Sequence, residues 1–316
     1  MSPLERAQPV LITGGLVAGT AGSLLAPVRA AGRVALLPLL VALLATVFVQ
    51  VEPRAATRVL RDRRVLVTSL LANFVLAPAA AFGLGRLLLA DSPDLALGLV
   101  MLLVTPCTDW YLAFTATARG DLAVATGLLP VNLFLQLLLL PAYVVLLGGP
   151  FVPVDGGAVL GSVGLVAGLP LLAAVVLRLA TSPGWRERVL QPRLATMGVL
   201  LLTGAVTAMF AWEGAQILER PGVVVTLLGP LAIFFLGSFA FAQAASRLLG
   251  LPHAQRVTLT MTVLARNSPL ALAVAATAFA DRPAIALALV AAPVIELPVL
   301  ALAGATLRRL EPAGSA

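Results

Sequence analysis

The sequence predicts an all-α integral membrane protein of ten transmembrane helices arranged as two inverted five-helix repeats, and three observations carry that expectation. Hydrophobic residues make up 60% of the 316 positions and charged ones 11%, with a mean hydropathy of +1.04, whereas soluble domains hold roughly 45–50% and 25%. Arginines gather in alternate gaps between the apolar stretches. A proline-bearing polar interruption occurs twice, about 160 residues apart, inside otherwise apolar stretches.

A span needs about 20 apolar residues, because a helix rises about 1.5 Å per residue across about 30 Å of hydrocarbon. Charged residues and Pro/Gly punctuation place spans near residues 8–28, 33–51, 64–89, 95–118, 122–148, 156–180, 194–213, 222–248, 254–279 and 283–307. The first carries no small-residue cleavage site after it, so it reads as a retained helix rather than a signal peptide. The loop from Glu52 to Arg64 reads as a solvated cytoplasmic connector facing anionic lipid headgroups. The 27 Gly and 23 Pro are compatible with membrane helices, where neighbouring helices re-satisfy freed backbone groups.

The arginines set the orientation. With the N-terminus inside, the cytoplasmic segments hold fifteen of them, from Arg6 through the cluster Arg54–Arg64 to Arg308 and Arg309; the other side holds Arg29, Arg33, Arg86, Arg220 and Arg282. Positive residues accumulate on the cytoplasmic side, so an even number of spans with both termini cytoplasmic is expected, in a multi-pass protein of the plasma membrane. The net charge of +7 and pI near 11.2 are thereby explained by topology, and nucleic acid is not expected as a partner.

The repeat divides the chain into residues 1–150 and 151–316. Thr105-Pro106-Cys107-Thr108-Asp109 interrupts span four, and Ala265-Arg266-Asn267-Ser268-Pro269 interrupts span nine. Each is followed by a small apolar helix, a charged turn (Arg119-Gly120-Asp121, Asp281-Arg282-Pro283) and a further span carrying Pro130-Val131-Asn132 or Pro293-Val294-Ile295-Glu296. Five spans per half make the halves inverted and bring spans four and nine together near the midplane.

Broken helices within lipid are tolerated where they are buried in protein or line a wet cavity, and their free N–H and C=O ends suit a solute or ion. Asp109, Arg266 and Glu296 are the ionisable residues expected well inside spans, where a charge costs at least about 2.5–3.5 kcal/mol and is usually paired and functional. Asp109 and Arg266 are expected to form an ion pair at the crossing. Arg stays protonated while a desolvated carboxylate is able to take up a proton, so Glu296, with no adjacent cation in sequence, is the candidate proton carrier. Cys107 offers a soft contact beside a helix break. Thr108, Asn132, Gln136, Asn267 and Ser268 are neutral groups for hydrogen bonding a hydroxylated ligand or bridging helices, with Asn73 and Gln243 as weaker candidates.

Cys107 is the only cysteine and His253 the only histidine, which excludes an intramolecular disulfide and a clustered thiolate or imidazole metal site. No phosphate-binding loop or nucleophile elbow is present. Neither enzymatic activity nor a cofactor is expected, and coupling to an ion gradient is the expected energy source.

The motif Thr105-Pro106-Cys107-Thr108, with Gly120-Asp121 and Val131-Asn132 after it, resembles the arsenite efflux permeases of the bile acid/arsenite transporter superfamily. Pro293-Val294-Ile295-Glu296-Leu297-Pro298-Val299 and the stretch from Asn267 to Ala273 are similar to the same family's late spans. The resemblance implies broken and crossed helices four and nine, a core of spans three to five and eight to ten, and a panel of spans one, two, six and seven. It further implies that Cys107 and Glu296 are the functional pair and that export exchanges with protons. This chain departs from that pattern in having Asp109, Arg266 and Ser268-Pro269, and it has Thr262 and Arg266 where sodium-coupled symporters carry a Glu and a Gln. The resulting expectation is proton-coupled efflux of arsenite or a related metalloid oxyacid; the alternative is an ion-coupled symporter of a small organic anion that pairs with Arg266.

Overall fold

The computed structural model describes residues 3–50, 63–108 and 110–310. The described residues form helices and no strand. In chain order the principal helices are α1 (Pro3–Gly22), α2 (Ala26–Gln50), α3 (Arg63–Leu88), α4 (Pro93–Leu103), α5 (Trp110–Thr117), α6 (Leu122–Gly148), α7 (Gly156–Ala180), α8 (Gln191–Glu219), α9 (Pro221–Leu248), α10 (His253–Leu264), α11 (Ser268–Ala278) and α12 (Pro283–Arg309). Seven of them, α2, α3, α6, α7, α8, α9 and α12, are long and apolar enough to cross a membrane. The chain is an all-helical, multi-pass membrane protein.

The helices gather in two groups. In the first, α1 and α2 both lie against α8, and α7 packs on α2. The approach is close because small residues face each other, as is usual where helices associate in lipid. A Cβ on Gly19 would stand 2.5 Å from the Thr207 carbonyl oxygen, and one on Gly32 would stand 2.7 Å from that of Ala208. Only glycine permits those contacts. The second group holds α3 to α6 and α9 to α12, with α12 at its centre: 72% of its apolar window is buried, against 28% for α9. Leu179, Leu236, Leu248 and Leu302 point outward, an apolar surface suited to lipid tails rather than water.

Two boundaries differ from the apolar pattern. α1 ends at Gly22 and α2 begins at Ala26, so Arg29 and Arg33 lie within a helix instead of a loop. Pro27 explains the shift, since proline is preorganised for the first helical turn and lacks only an N–H that has no partner there. Arg29 Nη1 then donates to the Ser23 carbonyl at 2.8 Å. α8 runs on to Glu219, six residues beyond the expected end, which places Glu213 inside the helix. The connector from Glu52 to Arg64 falls largely outside the described residues.

Proline also shapes α3. Pro78 has no N–H to return to Phe74, and the helix widens over Ala72–Leu76, the kind of local bulge that frees a carbonyl. The Tyr143 hydroxyl donates to that Phe74 carbonyl at 2.5 Å. The widened turn aims Asn73 inward, fully buried.

Candidate functional site: the crossing of two broken helices

α4 stops because the chain meets Pro106, which has no N–H and pushes the preceding residue out of helical geometry. Thr105 Oγ1 donates back towards the carbonyls of Met101 and Leu102, 2.9 Å from each. α10 stops at Leu264, and Ala265 is extended with φ −73° and ψ 135°. α11 restarts with Pro269 in its first turn and Asn267 as its cap, the Asn267 Oδ1 accepting from the Leu270 N–H at 3.1 Å. The two non-helical stretches pair with each other as a short antiparallel bridge at Pro106 and Arg266. Cys107 N–H donates to the Ala265 carbonyl at 3.0 Å and Asn267 N–H to the Thr105 carbonyl at 2.7 Å. Each break thus satisfies backbone groups of the other where no water is at hand.

Seven of the expected site residues, Cys107, Thr108, Asn132, Arg266, Asn267, Ser268 and Glu296, are buried here or beside it, none more than 3% exposed. Asp109 lies outside the described residues, and with it the expected ion pair. Asn267 Nδ2 donates to Thr108 Oγ1 at 3.3 Å, joining the two breaks. Asn132 Nδ2 donates to Thr262 Oγ1 at 3.1 Å. Several buried polar atoms have no hydrogen-bond partner among the described residues: Asn132 Oδ1, both amide atoms of Gln136, Ser268 Oγ and Glu296 Oε2. Such atoms are rare in folded proteins and call for an explanation such as a ligand, an ion or water.

Glu296 reads as isolated from cations in sequence, but the structure brings it to the second break. Its Oε1 accepts from the Arg266 backbone N–H at 2.8 Å and from Trp110 Nε1 at 3.0 Å. One carboxylate oxygen is held by two donors while the other has no partner among the described residues.

Arg266 is completely buried, and its guanidinium is already bonded to protein. Nη1 donates to the Leu103 carbonyl at 2.9 Å, Nη2 to Asn73 Oδ1 at 2.8 Å and to the Val263 carbonyl, and Nε to the Leu264 carbonyl at 3.5 Å. The Phe234 ring lies 5.1 Å from the guanidinium carbon, within cation–π range. Four of its five guanidinium N–H groups thus point at the protein's own oxygens, three helix-end carbonyls and the Asn73 amide.

Three residues matter more here than their sequence suggested. Asn73 is a direct partner of Arg266, and the signal available for it was a lone amide one turn before Pro78. Trp110 is the indole donor to Glu296; its position just after the break was the clue. Glu213 is a third buried carboxylate or guanidinium group alongside Arg266 and Glu296, at 2% exposure, and accepts from Gln216 Nε2. With Arg33 and Trp212 it lines a cavity of 220 Å³ between α2 and α8 on one side and α11 and α12 on the other. A larger apolar groove of 420 Å³ lies between α3 and α9 and includes Phe234 and Val263.

The tips of the broken helices are tied across the molecule. Asp121 caps α6 by accepting from the N–H groups of Ala123 and Val124, while its own N–H donates to the Ala254 carbonyl at the start of α10, 3.1 Å away. Arg282, at the start of α12, pairs with Asp94 at the start of α4 at 2.8 Å.

Comparison with known proteins matches residues 37–220 to the model of the Sodium Bile acid symporter family. The Arsenical-resistance protein Acr3 of Corynebacterium glutamicum is 29% identical over 235 residues, covering 69% of this chain and 63% of that protein. The P3 protein of Mus musculus is 28% identical over 259 residues, covering 75% of this chain and 51% of that protein. The chain therefore spans less than two thirds of the length of either curated relative.

Proposed function

Since the chain belongs to the Sodium Bile acid symporter family, we propose that it is a secondary membrane transporter, not an enzyme, that exports arsenite or a related metalloid oxyacid in exchange for protons. Its spans would form two inverted five-helix repeats, residues 1–150 and 151–316, in the plasma membrane with both termini cytoplasmic. The contacts between the halves support this arrangement. An offset of about 160 residues converts the Cys107–Ala265 hydrogen bond into the Asn267–Thr105 one, and the Asp121–Ala254 contact into the Arg282–Asp94 one. Contacts that map onto each other under one offset are what a pseudo-two-fold axis between repeats produces. α1, α2, α7 and α8 form the panel in this reading, and the remaining helices the core that moves against it.

The observation that carries the coupling is the divided state of Glu296. Its Oε2 is free to take a proton while Oε1 keeps its bonds to Arg266 N–H and Trp110 Nε1. A carboxylate poised in this way changes charge without dismantling its support. The cargo follows from chemistry and relationship together: Cys107 offers a polarisable sulfur at the break, the C. glutamicum relative is an arsenical-resistance protein, and Asn132 Oδ1 and Ser268 Oγ are unpartnered hydrogen-bonding atoms. Thr108 and Asn267 position the break, Asp109 sets its charge together with Arg266, and a single thiol binds weakly enough to release its cargo. The organic-anion alternative loses the contact that motivated it, because the Arg266 guanidinium is bonded to Leu103, Val263, Leu264 and Asn73.

Everted membrane vesicles containing the protein test this reading. They are expected to accumulate arsenite when a proton gradient is imposed, and Cys107→Ser is expected to lower that accumulation at least tenfold. Accumulation unaffected by C107S, or by collapse of the gradient, would overturn it.

A further inference from the structure

Glu213 is a buried carboxylate to which the transport reading gives no task. It is 2% exposed, and Gln216 Nε2, one turn on in α8, donates to its Oε2. A charged group inside a membrane span is usually paired or functional. Glu213 stands at the 220 Å³ cavity, whose two walls belong to different groups of helices. Arg33 and Trp212 share its wall on α2 and α8; Ala273, Ala276 and Ala286 help to line the facing wall on α11 and α12, which carries no ionisable group. Arg33 is exposed and lies over the Trp212 ring, 6.0 Å from its centroid. The cavity thus runs from an exposed arginine to a buried carboxylate.

The charged surroundings of Glu213 are few. α8 packs against α1, α2, α9, α11 and α12. The last turns of α1 and the whole of α11 hold no ionisable residue. Arg29 is bonded to the Ser23 carbonyl and Arg282 to Asp94. Glu219, Arg220 and Asp281 lie at helix ends or in turns, outside the cavity lining, and the charged residues at the start of α8 stand at its opposite end. Glu296 comes ten residues after Ala286, about 15 Å further along α12. Arg33 is therefore the charged group that shares the cavity with Glu213.

We infer that Glu213 is a second proton-binding site, in the cleft between panel and core, and that its protonation lets the cleft close. Ionised, the carboxylate needs water or further donors. The alanines opposite offer none, so the walls stay apart. Protonated, it is a neutral group that keeps its Gln216 contact and packs against the apolar wall. In the proposed orientation the cleft opens on the non-cytoplasmic side, from which protons enter in exchange for cargo. The inference rests on the proton-exchange reading for its place in the cycle, whereas its test reads access to the cavity, so either one is able to fail alone.

The test places a thiol on the apolar wall, Ala276→Cys, in the purified full chain in detergent. Its rate of reaction with N-ethylmaleimide is measured from acidic to weakly alkaline pH, after subtraction of the rate of the parent protein. The readout is that rate divided by the rate in the same protein carrying Glu213→Gln, which cancels the ionisation of the thiol itself. The quotient is expected to be near one at acidic pH and to rise at least fivefold as the carboxylate ionises. Glu213→Asp keeps an ionisable group and is expected to retain the rise, and so is Glu296→Gln. Ala90→Cys, in the exposed turn before α4, is expected to react equally with and without E213Q at every pH. If E213Q is not recovered as monodisperse protein, the Ala276→Cys rate is divided by the Ala90→Cys rate instead. A quotient that stays flat with pH overturns the inference, as does a rise that disappears with E296Q.

Discussion

The two breaks share a backbone and differ in how they close it. At the first, the Met101 and Leu102 carbonyls near the end of α4 lie 2.9 Å from a neutral hydroxyl, Thr105 Oγ1, which also stands 3.4 Å from the Asn267 carbonyl of the second break. At the second, the carbonyls at the end of α10 are met by a cation that also reaches Leu103 on the first break and Asn73 on α3. One closure is neutral and spans the two breaks, and the other is charged and joins three helices. Proline sets where each helix breaks, but the side chain at the break decides whether the crossing is merely adjacent or chemically locked. It also sets the polarity of the site: neutral at Cys107 and Thr108, charged at Arg266 and Glu296.

That contrast is broken most severely by Arg266→Gln. Leaving buried neutral acceptors without their donor costs about 1–3 kcal/mol for each group left unsatisfied, and it is expected to appear as a large drop in unfolding temperature with transport in vesicles lowered at least a hundredfold. If Asp109 is the partner charge, adding Asp109→Asn should recover part of the loss; a double variant as defective as R266Q alone would argue against the pair. Glu296→Gln comes next. The carboxamide oxygen still accepts from Arg266 N–H and Trp110 Nε1, so the melting temperature should stay near wild type while proton-driven arsenite accumulation falls at least tenfold. A melting temperature that falls as far as that of R266Q would make Glu296 structural.

Thr105→Val sharpens the comparison from the other side. Removing one neutral hydrogen bond costs about 1 kcal/mol, so chemical or thermal unfolding should register a loss several times smaller than that of R266Q. Similar losses from the two variants would erase the difference between the neutral and the charged closure. Asp94→Asn is the smallest expected perturbation. Its pairing with Arg282 is about one-third exposed on each side, and such pairs contribute about 0–1 kcal/mol; a vesicle assay should show transport within twofold of wild type.

Much of this was legible in the sequence wherever the cause is local. Pro106 and Pro269 announce the breaks because a missing N–H interrupts a helix whatever surrounds it, and the offset between them announces the crossing. Asp121 announces the start of α6 because a carboxylate caps a helix through its own neighbours. Pro27 is a local signal of the same kind: it lies in the first turn of α2, so the turn after α1 falls earlier than the apolar pattern predicts. Glu213 escaped because a carboxylate near the expected end of an apolar stretch looks like a boundary, whereas α8 continues past it.

By itself the sequence determined that the chain lives in lipid, where its apolar stretches run and where two of them are interrupted. Hydropathy and proline act within a few residues, so no knowledge of the rest of the chain is needed. Only the tertiary structure decided which groups Arg266 and Glu296 bond to. The partners of Arg266 are mostly backbone carbonyls, which every residue carries and no sequence pattern marks, and Asn73 stands 193 positions away. Whether a buried charge faces a solute or the protein's own oxygens depends on which helix ends converge on it, and that is fixed only when the helices pack.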